Sequence, residues 1–480
     1  MGAVAVIVVD YALKEVTSTP LNQGLSSYDQ VLLKAKSLDF PVFTFSIYPR
    51  EKALLFKGDL YSLLSSMDFL TKDFQHFLFL HTHEPLIDLS LTQEIINTHL
   101  KNIADYTMAE HYPQGFAPFM INGGTFKKLL LMAYGNNQPY ESHVLDKMIQ
   151  NDINSYDVEI VIAPEDLRKV RESFVVLGQR ETLMCQEFLK NPTPATHLGE
   201  WFLNHSHVLR PMPALFNIEL ISTCQQNCIA CPKKLIKEPE KKISVEQFKL
   251  LMQEIASWVQ KGRIEFSGFG EPLTHPDIKE ILNILKDYPQ FEYFLETNGL
   301  LLNQYADDLL SIPSLQVFIS LDAPNSTLYK DLRGEGFEKA EENTEKFLSK
   351  NPHRGYIQIT RMEENEEWIE KFLERWRAFK DKILIQKYNH FCKAFENKKV
   401  VDLSPLKRFA CWKLQREMAI RADLSVPLCS QDFNKTLVIG KALETPLPEI
   451  WQKNNAFYQA HWKEDFVGLC SACDEWYIFD

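Results

Sequence analysis

Residues 216–231, FNIELISTCQQNCIAC, place an apolar run directly before three closely spaced cysteines. The run predicts a buried strand, with Cys224, Cys228 and Cys231 on the loop that follows it. Three thiolates on one loop can hold three irons of a cubane iron–sulfur cluster and leave the fourth iron open to a small molecule. Zinc is the alternative, because Cys-x2-Cys spacing also suits a tetrahedral site with a fourth ligand from elsewhere.

Further apolar runs downstream end in polar or glycine-containing tips. These tips are SGFGEP (267–272), ETNG (296–299) and ISLDA (319–323). Successive strands with such tips are typical of a parallel β/α barrel, whose ligand lies at the carboxyl ends of the strands. We expect six strand–helix units that form a partial barrel, open on one side for a large substrate. The predicted strands lie near 216–222, 263–267, 291–297, 315–321, 355–361 and 382–387.

Over residues 215–390 this series of motifs resembles the radical S-adenosylmethionine (SAM) superfamily. In that family, three cysteines hold a [4Fe–4S] cluster whose open iron binds the amino and carboxylate groups of SAM. One electron then cleaves SAM to methionine and a 5′-deoxyadenosyl radical. The resemblance implies SAM-binding roles for Gly268, Gly270, Glu271, Thr297, Asn298, Ser320 and Arg333.

The glycines, Thr297, Asn298 and Arg333 also have a plain structural interpretation. Gly268 and Gly270 suit an ordinary strand-to-helix turn, and residues 297–299 suit a left-handed turn after a strand. Arg333 alone is typical of a solvated surface position, although an arginine fork also suits a carboxylate. The sequence selects no catalytic acid, base or thiol that touches the substrate.

Four more cysteines fall in the last seventy residues, at Cys411, Cys429, Cys470 and Cys473. Four thiolates can complete the coordination of a second cubane, which then suits electron transfer; a zinc knot is the alternative. Their order and flanking residues resemble the SPASM domain of radical SAM enzymes that modify peptides and proteins. Full SPASM domains carry about seven cysteines and two clusters, so four cysteines imply one auxiliary [4Fe–4S] cluster. The remaining cysteines, Cys185 and Cys392, match no motif and are expected to be buried free thiols.

Composition narrows the class of protein and its compartment. The 480 residues include 52 basic and 64 acidic side chains, a net charge of −12 that predicts no nucleic-acid partner. No signal peptide and no stretch near the ~20 apolar residues of a membrane helix is expected. Because seven of the nine cysteines have metal-type spacing, we expect a reducing, cytoplasmic location.

The first 190 residues alternate apolar strands with helical patterns, which predicts an α/β sandwich. Short segments in order resemble the nucleotidyltransferase-like (GT-A-like) fold of cytidylyltransferases that activate sugars. His83 and Ile162 stand where those enzymes carry Mg²⁺-binding aspartates, and neither supplies a hard oxygen ligand. The first loop, DYALKE (10–15), lacks the glycines and arginines of a loop that holds a triphosphate. We therefore expect a domain without catalysis that binds substrate or partner.

Together the layout resembles the spiro-SPASM family. The predicted α/β organisation is a cytidylyltransferase-like domain (1–190), a linker (191–213), a radical SAM partial barrel (214–390) and an auxiliary-cluster domain (391–480). Three hypotheses follow: hydrogen abstraction from a peptide or protein, the same chemistry on a sugar or nucleotide-linked small molecule, or a metal-binding scaffold without turnover. The first two require an electron donor such as flavodoxin or ferredoxin.

Overall fold

The computed structural model describes residues 2–135 and 138–478. The chain divides into two compact units, Met1–Pro211 and Met212–Asp480. The segment 191–213, predicted to be a linker, instead contains the helix Leu198–Asn204, which lies within the first unit. Leu198, Trp201 and Phe202 recur at helical spacing and are buried, so this segment packs as a helix between its prolines.

The first unit is an α/β fold built around one mixed sheet. Its strands are β1 (Val4–Asp10), β2 (Pro20–Asn22), β3 (Leu25–Ser26), β4 (Val42–Ser46), β5 (Ala53–Leu55), β6 (His76–His81), β7 (Tyr106–Glu110), β8 (Phe119–Asn122) and β9 (Val158–Ile162). Its helices are α1 (Lys14–Thr17), α2 (Ser27–Lys36), α3 (Leu60–Met67), α4 (Leu89–Asn102), α5 (Gly123–Ala133), α6 (Val144–Gln150), α7 (Gln179–Phe188) and α8 (Leu198–Asn204). The main sheet has the order β5-β4-β1-β6-β8-β7-β9, and β8 runs antiparallel to both of its neighbours. Every residue of β1 is buried, as expected for a central strand covered on both faces.

The second unit is built on a wholly parallel sheet. Its strands are β10 (Leu215–Ile218), β11 (Gly262–Phe266), β12 (Phe291–Thr297), β13 (Leu315–Ser320), β14 (Gly355–Arg361), β15 (Ile383–Lys387), β16 (Glu417–Ile420), β17 (Ser425–Pro427) and β18 (Val438–Lys441). Its helices are α9 (Val245–Trp258), α10 (Ile278–Leu285), α11 (Leu302–Leu310), α12 (Ser326–Arg333), α13 (Phe337–Lys350), α14 (Ile369–Arg375), α15 (Trp412–Arg416), α16 (Leu447–Lys453), α17 (Asn455–Trp462) and α18 (Leu469–Ala472). The sheet order β15-β14-β13-β12-β11-β10-β16 is in sequence order except for β16.

The tail of the chain extends the barrel sheet. Strand β16 pairs in parallel with β10, from Leu215 opposite Glu417 to Ile218 opposite Ile420. The predicted barrel strands all form, and β16 is an additional strand contributed from beyond residue 390. Trp451 of α16 is buried in the same core as the barrel residues, so the tail and the barrel share one hydrophobic core.

Helix caps and glycines hold the ends of these elements. Ser244 caps α9 in a capping box, in which its side chain accepts from the Gln247 backbone and the Gln247 side chain accepts in return. Asn325 caps α12 by accepting from the Leu328 backbone, and Gly334, with φ of 106°, ends that helix. In the described part of the chain, no helix combines the length and apolar character needed to cross a membrane.

Candidate iron–sulfur and SAM site

The cysteine loop follows β10 and is held by backbone hydrogen bonds to the end of α12. The N–H of Asn227 donates to the carbonyl of Arg333 over 3.3 Å, and that of Ile229 donates to the carbonyl of Leu332 over 2.9 Å. The last turn of a helix leaves carbonyls without intrahelical partners, so the loop satisfies groups that α12 leaves free. This docking fixes the loop by its main chain and leaves its side chains available for ligands.

The three thiols lie close to amide donors on the inner side of the loop. The backbone N–H of Gln226 donates to Cys224 Sγ over 3.4 Å, and Asn298 Nδ2 lies 3.9 Å from the same sulfur. Burial raises the pKa of all three thiols, that of Cys231 to about 11, so they are protonated at neutral pH in the free protein. Binding a metal cluster therefore releases protons. Thiols with amide donors beside them suit an iron–sulfur cluster.

The glycine-containing motif after β11 packs directly against the segment that precedes Cys224. The N–H of Glu271 donates to the carbonyl of Thr223 over 2.8 Å. A Cβ atom on Gly270 would lie 2.7 Å from the carbonyl carbon of Ile221 and closer still to its oxygen. Two stretches of main chain approach each other so closely here that only a glycine fits at position 270. An ordinary turn would not require this glycine.

The Glu271 carboxylate joins the ends of two neighbouring strands. It is buried and accepts hydrogen bonds from Thr297 Oγ1 and the Asn298 backbone, each 2.8 Å long, and from the Leu273 backbone at 3.1 Å. Burial raises its pKa, against the lowering by these three donors. Glu271 thus fixes Thr297 and Asn298, and Asn298 in turn reaches Cys224.

Arg333 is a buried member of this network, and its predicted alternative as a solvated surface residue is wrong. Its side chain is 11% exposed and forms an ion pair with Asp322, while its Nε donates to Gln226 Oε1 over 3.3 Å. Burial opposes its charge, yet the Cys228 and Asp322 side chains raise its pKa above the usual value. The guanidinium therefore stays charged beside the cysteine loop.

Ser320 lies at the end of β13 and donates to Gln358 Oε1 on β14 over 3.1 Å. Sequence patterns gave no reason to select Gln226, Asp322 or Gln358, since glutamine and aspartate are common in loops and at strand ends. Position was a signal for two of them, because Gln226 lies between the cysteines and Asp322 follows a predicted barrel strand, whereas Gln358 lies in the middle of β14. All the predicted SAM-site residues lie in the second unit, at the carboxyl ends of its strands or on the adjacent α12.

The four tail cysteines line one small cavity together with a fifth, Cys392. Cys392 is a half-buried free thiol that lines this cavity beside the tail cysteines, so the expectation that it is buried apart from them is wrong. It lies in a run of left-handed residues, Phe391, Cys392 and Lys393, which brings its side chain to the group by a turn that spacing cannot indicate. Cys185, by contrast, is the buried free thiol that the sequence predicts.

Burial raises the pKa of Cys411 to about 12 and that of Cys470 to about 11, so the tail thiols also lose protons when they bind metal. Lys387 forms ion pairs with Asp474 and Glu475 beside the closing cysteines. Among residues 2–135 and 138–478, no three His, Cys, Asp or Glu side chains are gathered closely enough to hold a single metal ion.

In the first unit, the residues that end or follow β1 and β6 contact other side chains of the same unit. The Asp10 carboxylate is buried and accepts from Ser46, Arg50 and Thr82 over 2.8–2.9 Å. Burial lowers the pKa of His83 to about 4, and its Nε2 lies 3.1 Å from the Tyr11 hydroxyl. A neutral, buried imidazole is not a position for Mg²⁺.

Ile162, the other position that was compared with a metal-binding aspartate, is 61% exposed at the end of β9. Its side chain offers no oxygen or nitrogen to a cation.

Two family models match the second unit. The model described as Radical SAM superfamily covers residues 218–375, and the SPASM model, an iron–sulfur cluster-binding domain, covers residues 411–474. An uncharacterized protein of Treponema pallidum (strain Nichols) is 30% identical over 350 residues, which are 69% of this chain and 97% of the relative. The chain belongs to the radical SAM superfamily.

This radical SAM chain is an enzyme whose cofactors are [4Fe–4S] clusters and SAM. Among solved structures, it is similar to SuiB of Streptococcus suis bound to the precursor peptide SuiA. That match has 14% identity, a TM-score of 0.45, and covers 72% of this chain and 87% of SuiB. A cytidylyltransferase from Leptospira borgpetersenii is also similar, at 11% identity and a TM-score of 0.36, over 43% of this chain and 95% of that protein.

Proposed function

We propose that Cys224, Cys228 and Cys231 hold the SAM-binding [4Fe–4S] cluster and that the enzyme abstracts hydrogen from a peptide or protein. The observation that carries the proposal is the docking of the cysteine loop against the glycine-containing motif. The Glu271 N–H donates to the Thr223 carbonyl, the Asn298 N–H donates to the Glu271 carboxylate, and the Asn298 side chain reaches the Cys224 sulfur. These bonds connect the cysteine loop to the segments that follow β11 and β12.

When bound, the cluster supplies the electron that cleaves SAM to methionine and a 5′-deoxyadenosyl radical. The protein's part is to hold and orient. Glu271, Thr297 and Asn298 lie where they can position the polar end of SAM. Ser320 ends the next strand, β13, and donates to Gln358 on β14. Arg333, which forms an ion pair with Asp322, donates to Gln226 of the cysteine loop.

A peptide or protein substrate is supported by the SPASM match in the tail. We propose that Cys411, Cys429, Cys470 and Cys473 hold one auxiliary [4Fe–4S] cluster that takes up or delivers an electron, and that flavodoxin or ferredoxin reduces the enzyme. The tail shares a sheet and a core with the barrel, which places its cysteines in the same unit as the SAM site.

The substrate class can be tested by isotope transfer. Proteins and metabolites from cells that carry this enzyme, grown in deuterated medium, are offered to the enzyme with unlabelled SAM and reductant. We expect deuterium in 5′-deoxyadenosine, detected by mass spectrometry, from the macromolecular fraction and not after its digestion by proteinase. Label that arises only from the small-molecule fraction would contradict a protein substrate and favour the sugar or nucleotide-linked alternative.

The iron content distinguishes ligands from neighbours in the tail. We expect about eight irons per chain after anaerobic reconstitution, from one cubane at each cysteine group. Cys473→Ala should lower the count toward four, whereas Cys392→Ser should keep about eight, because four thiols already complete the auxiliary cluster. Iron and sulfide analysis checks this; a drop to four in Cys392→Ser would place that thiol in the ligand set, and zinc without iron would refute both clusters.

We also propose that the first unit transfers no nucleotide. The full-length protein, given CTP, Mg²⁺ and a sugar acid, is expected to release no pyrophosphate, because neither position compared with the Mg²⁺-binding aspartates carries a carboxylate to hold the metal that stabilises a transferring phosphoryl group. His83 is buried and neutral, and Ile162 has no ligand atom. Metal-dependent release of pyrophosphate above that of a reaction without enzyme would favour the hypothesis of a nucleotide-linked substrate.

A further inference from the structure

A cavity of about 180 Å³ lies at the carboxyl ends of β10, β11 and β16. Residues between 233 and 241, which follow the three cysteines, form part of its lining. It is smaller than the roughly 300 Å³ of the smallest pockets that take drug-sized ligands. Its size suits one large side chain or a group of that size.

Arg421 is the buried cation of this cavity that has no carboxylate of the described residues within ion-pair distance. The residue is 4% exposed, and its guanidinium donates one hydrogen bond, from Nη2 to the carbonyl of Ser430 over 2.7 Å. Its Nε is buried without an acceptor, and no carboxylate among the described residues forms an ion pair with Arg421. A buried charge without a partner is costly, so its retention points to a ligand.

The other buried or half-buried cations of the cavity are already neutralised. Lys435 forms ion pairs with Asp423, at 2.6 Å, and with Glu238. Lys233 lies 3.4 Å from Glu240. Within the part of the chain that the structure describes, Arg421 therefore differs from these neighbours in having a buried Nε–H without an acceptor and no carboxylate in an ion pair with it.

Aromatic rings form the apolar part of the cavity. The Arg421 guanidinium stacks over Phe269 at 4.5 Å, and the rings of Phe269 and Phe433 are 6.3 Å apart. The ring packs against the guanidinium, whose planar fork of N–H groups suits two parallel hydrogen bonds to a carboxylate. The carboxylates of Glu219 and Asp423 line the same cavity, and because their repulsion grows with the charge of an anion, they disfavour a doubly charged phosphate more than a singly charged carboxylate.

The cavity adjoins the proposed SAM site. Phe269 stands between Gly268 and Gly270 in the motif after β11, and Lys233, which also lines the cavity, donates from Nζ to the carbonyl of Cys224 over 3.2 Å. A group held in the cavity is therefore next to the loop that carries the three cysteines.

We propose that Arg421 binds a carboxylate of the substrate in this cavity, with the adjoining apolar part of the substrate against Phe269 and Phe433. The inference rests on the proposed function, because it assumes that the substrate lies at this edge of the sheet. In a peptide substrate, the carboxylate belongs to an aspartate or glutamate side chain or to the C-terminus.

The test uses the reconstituted full-length enzyme and three small probes in calorimetric titrations. 3-Phenylpropanoate carries the carboxylate, 3-phenylpropanamide is its neutral isostere, and phenyl phosphate carries a double charge. We expect the carboxylate to bind best, and Arg421→Gln to weaken its binding at least tenfold. Arg421→Lys should weaken it several-fold, since a lysine keeps the charge without the fork, and Arg377→Gln, which removes an exposed arginine of the same unit, should change it less than threefold.

Equal binding of 3-phenylpropanoate by the wild type and Arg421→Gln would overturn the inference, as would stronger binding of the amide or the phosphate. A tenfold loss of SAM affinity in Arg421→Gln would also overturn it, because the arginine would then serve the carboxylate of SAM. If Arg421→Gln does not fold, Arg421→Lys decides the question. Wild-type affinity of this variant for 3-phenylpropanoate would refute the claim that the guanidinium fork binds the carboxylate. Absence of 5′-deoxyadenosine from the wild type would refute the proposed function and leave the carboxylate binding to be decided by the titrations.

Discussion

Replacing Cys228 with alanine is expected to abolish reductive cleavage of SAM, with 5′-deoxyadenosine falling to the level of a reaction without enzyme. Two thiolates cannot hold three irons of a cubane in the arrangement that leaves one iron for SAM. The measurement is 5′-deoxyadenosine by liquid chromatography and mass spectrometry, after anaerobic reconstitution and reduction with dithionite.

Cys473→Ala is the matched control, because it removes one proposed ligand of the tail cluster and leaves the triad intact. This variant should still cleave SAM, without coupling to the substrate. Equal cleavage by the wild type and Cys228→Ala would exclude the triad as the SAM site.

Gly270→Ala is expected to disrupt the same site without removing a ligand. The added Cβ meets the main-chain carbonyl of Ile221, which cannot move without shifting the strand that leads to Cys224. Overpacking of this kind costs about 1–3 kcal/mol, and a clash with backbone belongs at the upper end. We expect the free energy of unfolding of the second unit to fall by about that amount and SAM binding to weaken more than tenfold.

Gly123→Ala serves as the control for Gly270→Ala. A Cβ at Gly123 would lie 3.5 Å from the nearest atom, the carbonyl oxygen of Gln75, which is ordinary contact. This variant should keep wild-type SAM affinity, measured by equilibrium dialysis, and nearly wild-type stability in urea. Wild-type SAM affinity in Gly270→Ala would show that the motif does not need to approach the cysteine loop.

The barrel could be predicted from sequence because its strands repeat buried apolar residues at alternate positions, as Phe291–Thr297 and Leu315–Ser320 do, and end in polar or glycine-containing tips. The predicted strands near 291–297 and 355–361 have the bounds that the structure gives, Phe291–Thr297 and Gly355–Arg361. Strand Glu417–Ile420 escaped prediction because it is short and begins with a glutamate, so nothing marked it as the partner of β10.

The residues of the candidate site also fall into those that the sequence predicts and those that it does not. The cysteine triad and Gly270 follow from local spacing, since a loop ligand or a close approach constrains neighbouring residues in the sequence. Cys392 and Arg421 act through contacts with residues distant in the chain, and neither has a neighbouring motif. That Cys392 and Cys473 line one cavity becomes visible only once the tail is folded.

The central claim is that one cluster keeps an iron open for SAM while the tail cluster is closed by cysteines. The most direct measurement is electron paramagnetic resonance of the dithionite-reduced enzyme during titration with SAM labelled with ¹⁵N or ¹⁷O at its amino and carboxylate groups. We predict two cluster signals, of which one shifts and gains coupling to the labelled atoms, and that signal is absent in Cys228→Ala. A spectrum that SAM leaves unchanged, or a coupling that is lost in Cys473→Ala and kept in Cys228→Ala, would contradict the account.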